Sequence, residues 1–182
     1  MDNEFNYTPK FGGGSDIYLK LNDWTEKEQT VKVRLASATY TRIQFRHDDE
    51  AVDTKNWDIS DYKEAIENSD YQKSQKFAWV VIVRGEGDNS DEVKVWEAGT
   101  GVFKKISAIA DDADWAPINE VDLKIIRRGL KKDARYDVVP SPTNRGQISE
   151  EEFANTDPID IEMGKYLPGA MKLLKFKEVF GE

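Results

Sequence analysis

The segment FAWVVIVRGEGDNSDEVKVWE, residues 77–97, limits the possible folds of this chain more than any other part of it. Residues 77–84 are almost all apolar, and a strand that is apolar on both faces is typical of the centre of a sheet covered on both sides. The loop GEGDNSDE then supplies the Gly, Asp and Asn residues that turns need. Residues 93–97 return as a second strand, so the sequence predicts a sheet built around a buried central strand.

The returning strand carries an unusual pair of side chains. Lys94 and Trp96 alternate with Val93 and Val95, which places the two pairs on opposite faces of the strand. We expect the valines to be buried and Lys94 and Trp96 to lie on the face that their neighbours leave open. A cation beside an indole on an open face suits single-stranded nucleic acid, whereas a Trp96 covered by the insertion or a terminal segment would be a packing residue.

Four further segments complete the predicted core. Residues 31–45 alternate apolar and polar side chains, and residues 121–128 and 134–140 are two more strand-like runs joined by GLKKD. Residues 99–115 have an apolar stripe at helical spacing, with Thr100 as the predicted N-cap. This is the element order of an OB-fold, a partly open Greek-key barrel. The predicted fold class is mainly β with helices: a five-stranded OB-fold barrel with a helix between strands 3 and 4, a long insertion between strands 1 and 2, and a helical C-terminal extension.

Three regions surround this core. Residues 1–16 contain FGGGSD and are predicted to be a flexible lead, because glycine loses much entropy on ordering. The predicted OB-fold domain runs over residues 17–142 and begins with the alternating run IYLKLND. Its acidic insertion, about 47–76, is expected to hold a short helix capped by Asp58 or Ser60.

The acidic C-terminal extension, residues 143–182, differs in character from the core. Ser149 and Glu152 have the spacing of a capping box. The segment YLPGAMKLLKFKEVF places Leu173 and Phe176 on one side of a predicted amphipathic helix. Two roles stay open for this helix, which are packing on its own barrel and binding a protein partner.

The charge of the chain is uneven. The net charge is −9, which argues against uniform attraction to nucleic acid. Residues 121–147 nevertheless hold seven Lys and Arg against three Asp and Glu, while residues 47–73 hold three against nine and residues 148–182 hold four against eight. A basic segment therefore lies within an acidic chain.

Several classes of protein are excluded or disfavoured. The absence of cysteine excludes disulfides, thiolate zinc sites and a cysteine nucleophile. The only histidine, His47 in RHDD, lacks the spacing of a metal site, and no P-loop, dinucleotide fingerprint or Gly-x-Ser-x-Gly occurs. We therefore predict no enzymatic activity, no cofactor and no metal. Apolar runs are far too short for a membrane helix and no secretory signal is visible, so we expect no membrane contact and a cytoplasmic location.

The core also resembles a known family. KFAWVVIVRGEGDNSDEVKVWEAGTGVFKKISAIADDADW followed by VDLKIIRRGLKKDARYDVVPSP is similar to the phage single-stranded-DNA-binding proteins with one OB-fold. In that family a strand of FAW-V type leads to a VKVWE strand, a helix that ends near Asp-x-x-Trp, a D-K-I-R-G strand and a Y-V-P-P close. The leading GGGSDIYLKL is also similar, and the resemblance covers roughly residues 12–142.

This resemblance implies a protein that coats single-stranded DNA without sequence preference during replication or recombination, in the cytoplasm of the infected host cell. The zinc-binding cysteines of some relatives fall in the region that residues 47–76 fill here, and this chain has none, so the resemblance implies no metal. Residues 143–182 match nothing in the family. An acidic extension at this place suggests contacts with replication or recombination proteins.

Binding of single strands without sequence preference needs a basic groove along the phosphates and aromatic faces on which bases stack. Trp96 and Lys94 offer one of each. The loop RRGLKKDAR, residues 127–135, lies where an OB-fold has a binding loop, although it could instead be a solvated hairpin tip. Its cations would make the affinity salt-dependent. The predicted nucleic-acid-binding residues are Trp96, Lys94, Arg127, Arg128, Lys131, Lys132, Arg135, Tyr40, Arg42, Phe45, Trp79 and Arg84.

Some of these residues have an alternative role. Trp79 lies on the apolar strand and suits the core at least as well as a binding face. Tyr40 and Phe45 flank Arg42 on a strand that leads into the insertion, and either a groove or a core position fits them.

A second hypothesis, from a different class, fits the same sequence. An acidic phage interaction protein could bind a host protein and imitate the charge of DNA, which agrees with the net charge, the acidic insertion and the amphipathic C-terminal helix. The positions of the cations discriminate between the two. Lys94, Arg127, Lys131 and Lys132 on one face with Trp96 would favour DNA binding, whereas cations scattered around the barrel would favour the second hypothesis.

Overall fold

The computed structural model describes residues 17–21, 28–129 and 133–181. In these residues the strands are β1 (Glu28–Leu35), β2 (Tyr40–His47), β3 (Glu50–Ala51), β4 (Gln72–Val83), β5 (Glu92–Ala98), β6 (Asp122–Arg128), β7 (Arg135–Pro140) and β8 (Met171–Lys172). The helices are α1 (Ile59–Glu67), α2 (Thr100–Asp111), α3 (Glu150–Ile161), α4 (Met163–Tyr166) and α5 (Leu173–Phe180). None of the described helices is long and apolar enough to cross a membrane.

The strands form one antiparallel sheet in the order β3-β2-β4-β1-β6-β7. In addition, β5 pairs with the remaining edge of β4, and β8 pairs with β2. The prediction of a mainly β fold with helices is confirmed. The described strand pairings do not join β5 to β7, so the sheet is open between them, and the predicted five-stranded barrel is not confirmed.

The strand β4 is central, as its composition predicts. One edge of β4 pairs first with β2 and then with β1, and the other edge pairs with β5. Its outer face carries Ala78 and Val80, and its inner face carries Trp79 and Val81; all four are buried. Since both faces are covered, only apolar side chains are stable at these positions.

The inner face of the sheet packs against α2. Phe103 of α2 stacks on Phe77 of β4 with ring centroids 3.9 Å apart and a 3° angle between the rings. Ile106 of α2 is buried in the same cluster. The helix begins at Thr100, but its N-cap is Gly99 and not Thr100 as predicted, and no side chain caps it.

The outer face of the sheet is covered by the C-terminal extension. Ile159 of α3, Met163 of α4 and Leu167 pack on the outer face of β4 and β5. The segment 17–19 lies beside them along the outer edge of β5, where Leu19 N donates to Val95 O at 2.9 Å. The strand predicted at IYLKLND is therefore reduced, in the described residues, to one isolated bridge.

The insertion contains the short helix α1 and closes over an aromatic cluster. Asp58 caps α1 and forms a capping box with Asp61, which confirms the first of the two predicted caps. Phe45 and Tyr62 are buried in this cluster, and Trp57 packs against both of them. Residues 72–76, assigned to the insertion from sequence, belong instead to β4.

The end of the described chain returns to the sheet. The predicted capping box of Ser149 and Glu152 begins α3 and is confirmed. The predicted C-terminal helix is α5, and its Phe176 is buried. Phe180 lies 6.4 Å from the ring of Tyr62, so α5 also contacts the insertion. Of the two roles left open for this helix, packing on its own sheet is the one observed.

Candidate nucleic-acid interface

Trp96 lies in the core and not on an open face. The predicted alternation is correct, since Lys94 and Trp96 lie on the inner face of β5 and Val93 and Val95 on the outer face. The predicted exposure is wrong, because Leu21 packs in the same cluster and leaves only 2% of Trp96 exposed. Its ring lies 5.2 Å from that of Trp79. The Lys94 side chain is largely covered, and its Nζ lies 3.4 Å from Glu92 Oε2.

Three other predicted aromatic residues also serve as packing residues. Trp79 is buried, and its indole N–H donates to Thr39 Oγ1 at 2.9 Å. Phe45 is buried in the aromatic cluster of the insertion. Tyr40 is buried beneath α3, and its hydroxyl donates to Asp160 Oδ1 at 2.5 Å.

These burials have a common physical reason. The strands of this sheet are covered on both faces, so the alternation that would place one face in solvent does not do so here. Burial, followed by the hydrogen bond to Asp160, raises the pKa of Tyr40 well above its usual value. Because their rings are buried, none of Tyr40, Phe45 and Trp79 presents a ring face to a base in this structure.

Arg84 is held by three carboxylates. Its Nη1 donates to Asp91 at 2.9 Å and to Glu152 at 2.7 Å, and its Nη2 donates to Asp122 at 3.2 Å. Burial alone would lower the pKa of Arg84, but these hydrogen bonds outweigh burial and raise it. The prediction of a phosphate contact at Arg84 does not fit this geometry, because a phosphate would have to displace one of the three carboxylates.

The cations of the predicted basic loop lie on different faces of the sheet, because side chains alternate along a strand. Arg127 is buried on the inner face of β6, whereas Arg128 and Arg135 are exposed. Arg128 lies 3.9 Å from carboxylate oxygens of both Glu28 and Asp137, which is a weak contact. The two lysines of the loop, Lys131 and Lys132, lie outside the described residues.

The positions of the cations give a mixed result. Lys94, Trp96 and Arg127 do share the inner face of the sheet, as binding would require. That face is core, however, so sharing it does not create a groove.

A slot of about 450 Å³ lies where the sheet is open between β5 and β7. Trp96 and the half-buried Tyr136 line it from the two strands. Lys20, which is exposed, and Lys76 also line the slot. Glu97 is the only carboxylate among the described residues that line it.

The slot opens onto a basic part of the outer face. Arg42 of β2 pairs with Lys76 of β4, and Arg46 pairs with Gln72 further along the same strands. We call Arg42, Arg46 and Lys76 the basic face. The helices α3 and α4 pack from Tyr40 onward and leave these positions outside the apolar cluster that they cover.

Glu97 is neutralised by one residue of the basic face. Arg42 Nε donates to Glu97 Oε2 at 2.6 Å, and Arg42 Nη2 donates to Glu97 Oε1 at 2.9 Å. This bidentate geometry is the strong form of an arginine–carboxylate pair. The carboxylate occupies the position that a phosphate could take on Arg42, and it leaves Lys20 and Lys76 to set the charge of the slot.

The sequence reasoning did not select Lys20, Lys76 or Tyr136. The only signal for Lys76 was its position directly before the apolar run 77–83, because residues 72–76, QKSQK, are all polar and do not alternate. No comparable signal existed for Lys20, whose place at the slot depends on the pairing of residues 17–19 with β5.

Neither a metal site nor a matching protein identifies the function of this chain. Within the part of the chain that the structure describes, no group of three His, Asp or Glu residues could hold a metal ion. Comparison with protein-family models, curated proteins and solved structures found no match to this chain.

Proposed function

We propose that this chain is a phage single-stranded-DNA-binding protein that coats single strands without sequence preference during replication or recombination. The observation that carries the proposal is the slot between β5 and β7, which the half-buried Tyr136 lines together with Lys20, Lys76 and the buried Trp96. An aromatic surface with cations at its border is the combination that binds single strands independently of sequence.

We further propose that the core is an OB-fold. From edge to edge, the strand order β5-β4-β1-β6-β7 is the order of neighbouring strands in a five-stranded Greek-key barrel. In this count β1 and β2 together are the long first strand. The helix α2 follows the third strand of that count. An OB-fold binds oligonucleotides on strands 2 and 3 and on two loops, 48–71 and 129–134 in this chain. The basic face and the slot adjoin those strands.

In this proposal the phosphates follow the basic face and the bases turn towards the slot. Lys76 and Arg46 contact phosphates, and Lys20 contacts the next phosphate at the slot. Bases stack on the accessible part of Tyr136, and Trp96 lines the same slot. Each cation that contacts a phosphate releases counterions, so the affinity falls as the salt concentration rises.

The test is tryptophan fluorescence during titration with single-stranded oligothymidine, with duplex DNA of the same length as the control. The single strand is expected to quench the fluorescence at low salt, with weaker binding at high salt. A Trp96→Phe variant keeps an aromatic ring in the core and should lose a large part of the quenching while it still binds in a filter assay. Absence of any binding to the single strand at low salt would overturn the proposal and favour the acidic interaction protein.

A further inference from the structure

A second concave site lies on the other side of α2. It is a cleft of about 840 Å³ between α2, the connector 36–39 that joins β1 to β2, residues 118–120 and the beginning of α3. Its volume lies in the range of sites that bind small molecules or peptide side chains. The cleft shares no lining residue with the slot, so the proposed DNA site does not account for it.

The cleft is apolar at its base. Trp79, Phe103 and Ile106 line it, and these residues also belong to the inner core or pack against it. Phe153 of α3 lines the cleft as well and is 56% exposed. The exposed ring of Phe153 continues the apolar base of the cleft to the surface, and contiguous exposed apolar surface marks interaction sites.

The charged residues of the cleft are all acidic. Of the described residues that line it, Glu120 and Glu150 are charged, and none is Lys or Arg. No hydrogen bond or ion pair to the side chain of either glutamate is present among the described residues. Two carboxylates beside an apolar base repel a phosphate backbone and attract a cation.

We propose that this cleft is a docking site for a basic peptide segment of a protein partner. A bulky apolar side chain of the segment fills the cleft against Phe153 and Phe103. Lys or Arg residues on either side of it contact Glu120 and Glu150. The fit rests on charge and shape together, since an aromatic anchor in a pocket supplies affinity and the charges at the rim supply orientation and rate of association. The site stands independently of DNA binding.

The first test uses a fluorescently labelled synthetic peptide with one tryptophan between two pairs of lysines, measured by anisotropy with the full chain. Two matched peptides, one with serine for the tryptophan and one with glutamates for the lysines, should both bind at least about tenfold more weakly. Equal binding of the serine peptide would overturn the proposal, because it would reduce the interaction to attraction between a basic peptide and an acidic protein.

The second test uses variants of the cleft. Phe153→Ser and Glu150→Lys should each lower the affinity for the labelled peptide by about tenfold. The matched control is Glu151→Lys, which makes the same charge change at an exposed position of the same helical turn that does not line the cleft. Equal losses in Glu150→Lys and Glu151→Lys would contradict the proposal.

Two further outcomes separate this site from its alternatives. Phe153 is exposed, so Phe153→Ser should keep the circular dichroism spectrum of the parent chain. Oligothymidine should leave peptide binding unchanged, and displacement of the peptide by oligothymidine would overturn the separation of the two sites. If sedimentation shows self-association that Phe153→Ser abolishes, and the peptide does not bind, then the occupant is a second copy of this chain and the proposal is wrong.

Discussion

The two ends of β4 place their cations in opposite settings. At the end of the strand near α3, Arg84 is surrounded by Asp91, Asp122 and Glu152. At the other end, Lys76 lines a slot whose one described carboxylate, Glu97, is taken by Arg42. Arg84, directly after the last residue of β4, is therefore saturated by the protein, whereas the surroundings of Lys76 within β4 are mostly neutral or basic.

This difference shows which cations stabilise the fold and which are able to bind a ligand. A cation that is buried must have its charge compensated inside the protein, because desolvation of an isolated charge is very unfavourable. Arg34 follows the same rule, since its Nε donates to Asp122 at 2.8 Å and its Nη1 donates to Gly146 O at 2.6 Å. A cation at the edge of a slot keeps its water and can exchange it for a phosphate. Variants at the two ends of β4 should therefore differ in whether they change stability or binding.

The largest effect is expected for Asp122→Asn at the Arg84 end. Asp122 is fully buried and bonds both Arg34 and Arg84, so removal of its charge leaves two cations partly uncompensated. We expect the free energy of unfolding to fall by about 3 kcal/mol or more, measured by urea denaturation. Oligothymidine affinity of the folded fraction should not change.

The control is Asp137→Asn. Asp137 is 44% exposed and lies 3.5 Å from Lys105 Nζ and 3.9 Å from Arg128 Nη1. Exposed pairs of this kind contribute at most about 1 kcal/mol. If the two variants reduce stability equally, then the Arg84 end is not a buried structural network.

At the Lys76 end, the expected effect is on binding and not on stability. The double variant Lys20→Glu and Lys76→Glu should bind oligothymidine roughly tenfold more weakly, about 1.4 kcal/mol. The slope of log affinity against log salt should decrease by about 0.7 for each phosphate that the variant no longer neutralises. Fluorescence titration at several salt concentrations measures both quantities.

The matched control for this variant is Lys175→Glu on α5. Lys175 is exposed, and its one ion pair among the described residues is a 3.8 Å contact with Glu178, so its reversal changes the net charge of the protein without touching the slot. A reduction of affinity in Lys175→Glu as large as that of one lysine of the slot would mean that DNA responds to net charge alone. In that case the slot would have no special role.

The elements of the sheet were predictable because their signals are local. The apolar run of β4 and the capping boxes at Asp58 and Ser149 each depend on residues close in sequence. The alternation of Lys94 with Val93 was correct for the same reason. These features are decided before any distant part of the chain is considered.

The exposure of the faces was not predictable, because distant segments decide it. Residues 17–21 and α2 cover the inner face at Trp96, and α3 covers the outer face at Tyr40. The role of Arg84 depends on Asp122 and Glu152, which lie 38 and 68 residues away in sequence. Alternation assigns a side chain to a face, but only the fold decides whether that face is open.

A smaller effect is expected for Glu97→Gln, which tests the competition between Glu97 and a phosphate for Arg42. Removal of the carboxylate frees Arg42 for the DNA backbone, so oligothymidine should bind about threefold more tightly, roughly 0.6 kcal/mol. The control is Glu178→Gln, which removes one exposed carboxylate from α5. Weaker binding by Glu97→Gln would show that Glu97 positions Arg42 and does not compete with DNA.

The smallest effect is expected from the titration of Glu152 at the Arg84 end. Burial alone would raise the pKa of Glu152, but the Ser149 N–H and the Arg84 guanidinium outweigh it and lower the pKa. Because this pKa is lower in the folded chain than in the unfolded chain, the stabilisation is present above the unfolded value of about 4.3 and is lost as the pH falls through the folded value.

The measurement is urea denaturation of the parent chain and of Glu152→Gln at neutral pH and in acid. The parent should be the more stable at neutral pH by at most about 0.5 kcal/mol, and the difference should shrink below about pH 4. Glu150→Gln is the matched control, since Glu150 lies in the same turn and forms no described contact with Arg84. A difference between parent and Glu152→Gln that stays constant down to acid pH would mean that the charge of Glu152 adds nothing to the stability and that Asp122 and Asp91 alone compensate Arg84. The Arg84 end of β4 would then be stabilised by the buried Asp122 and not by Glu152 of α3.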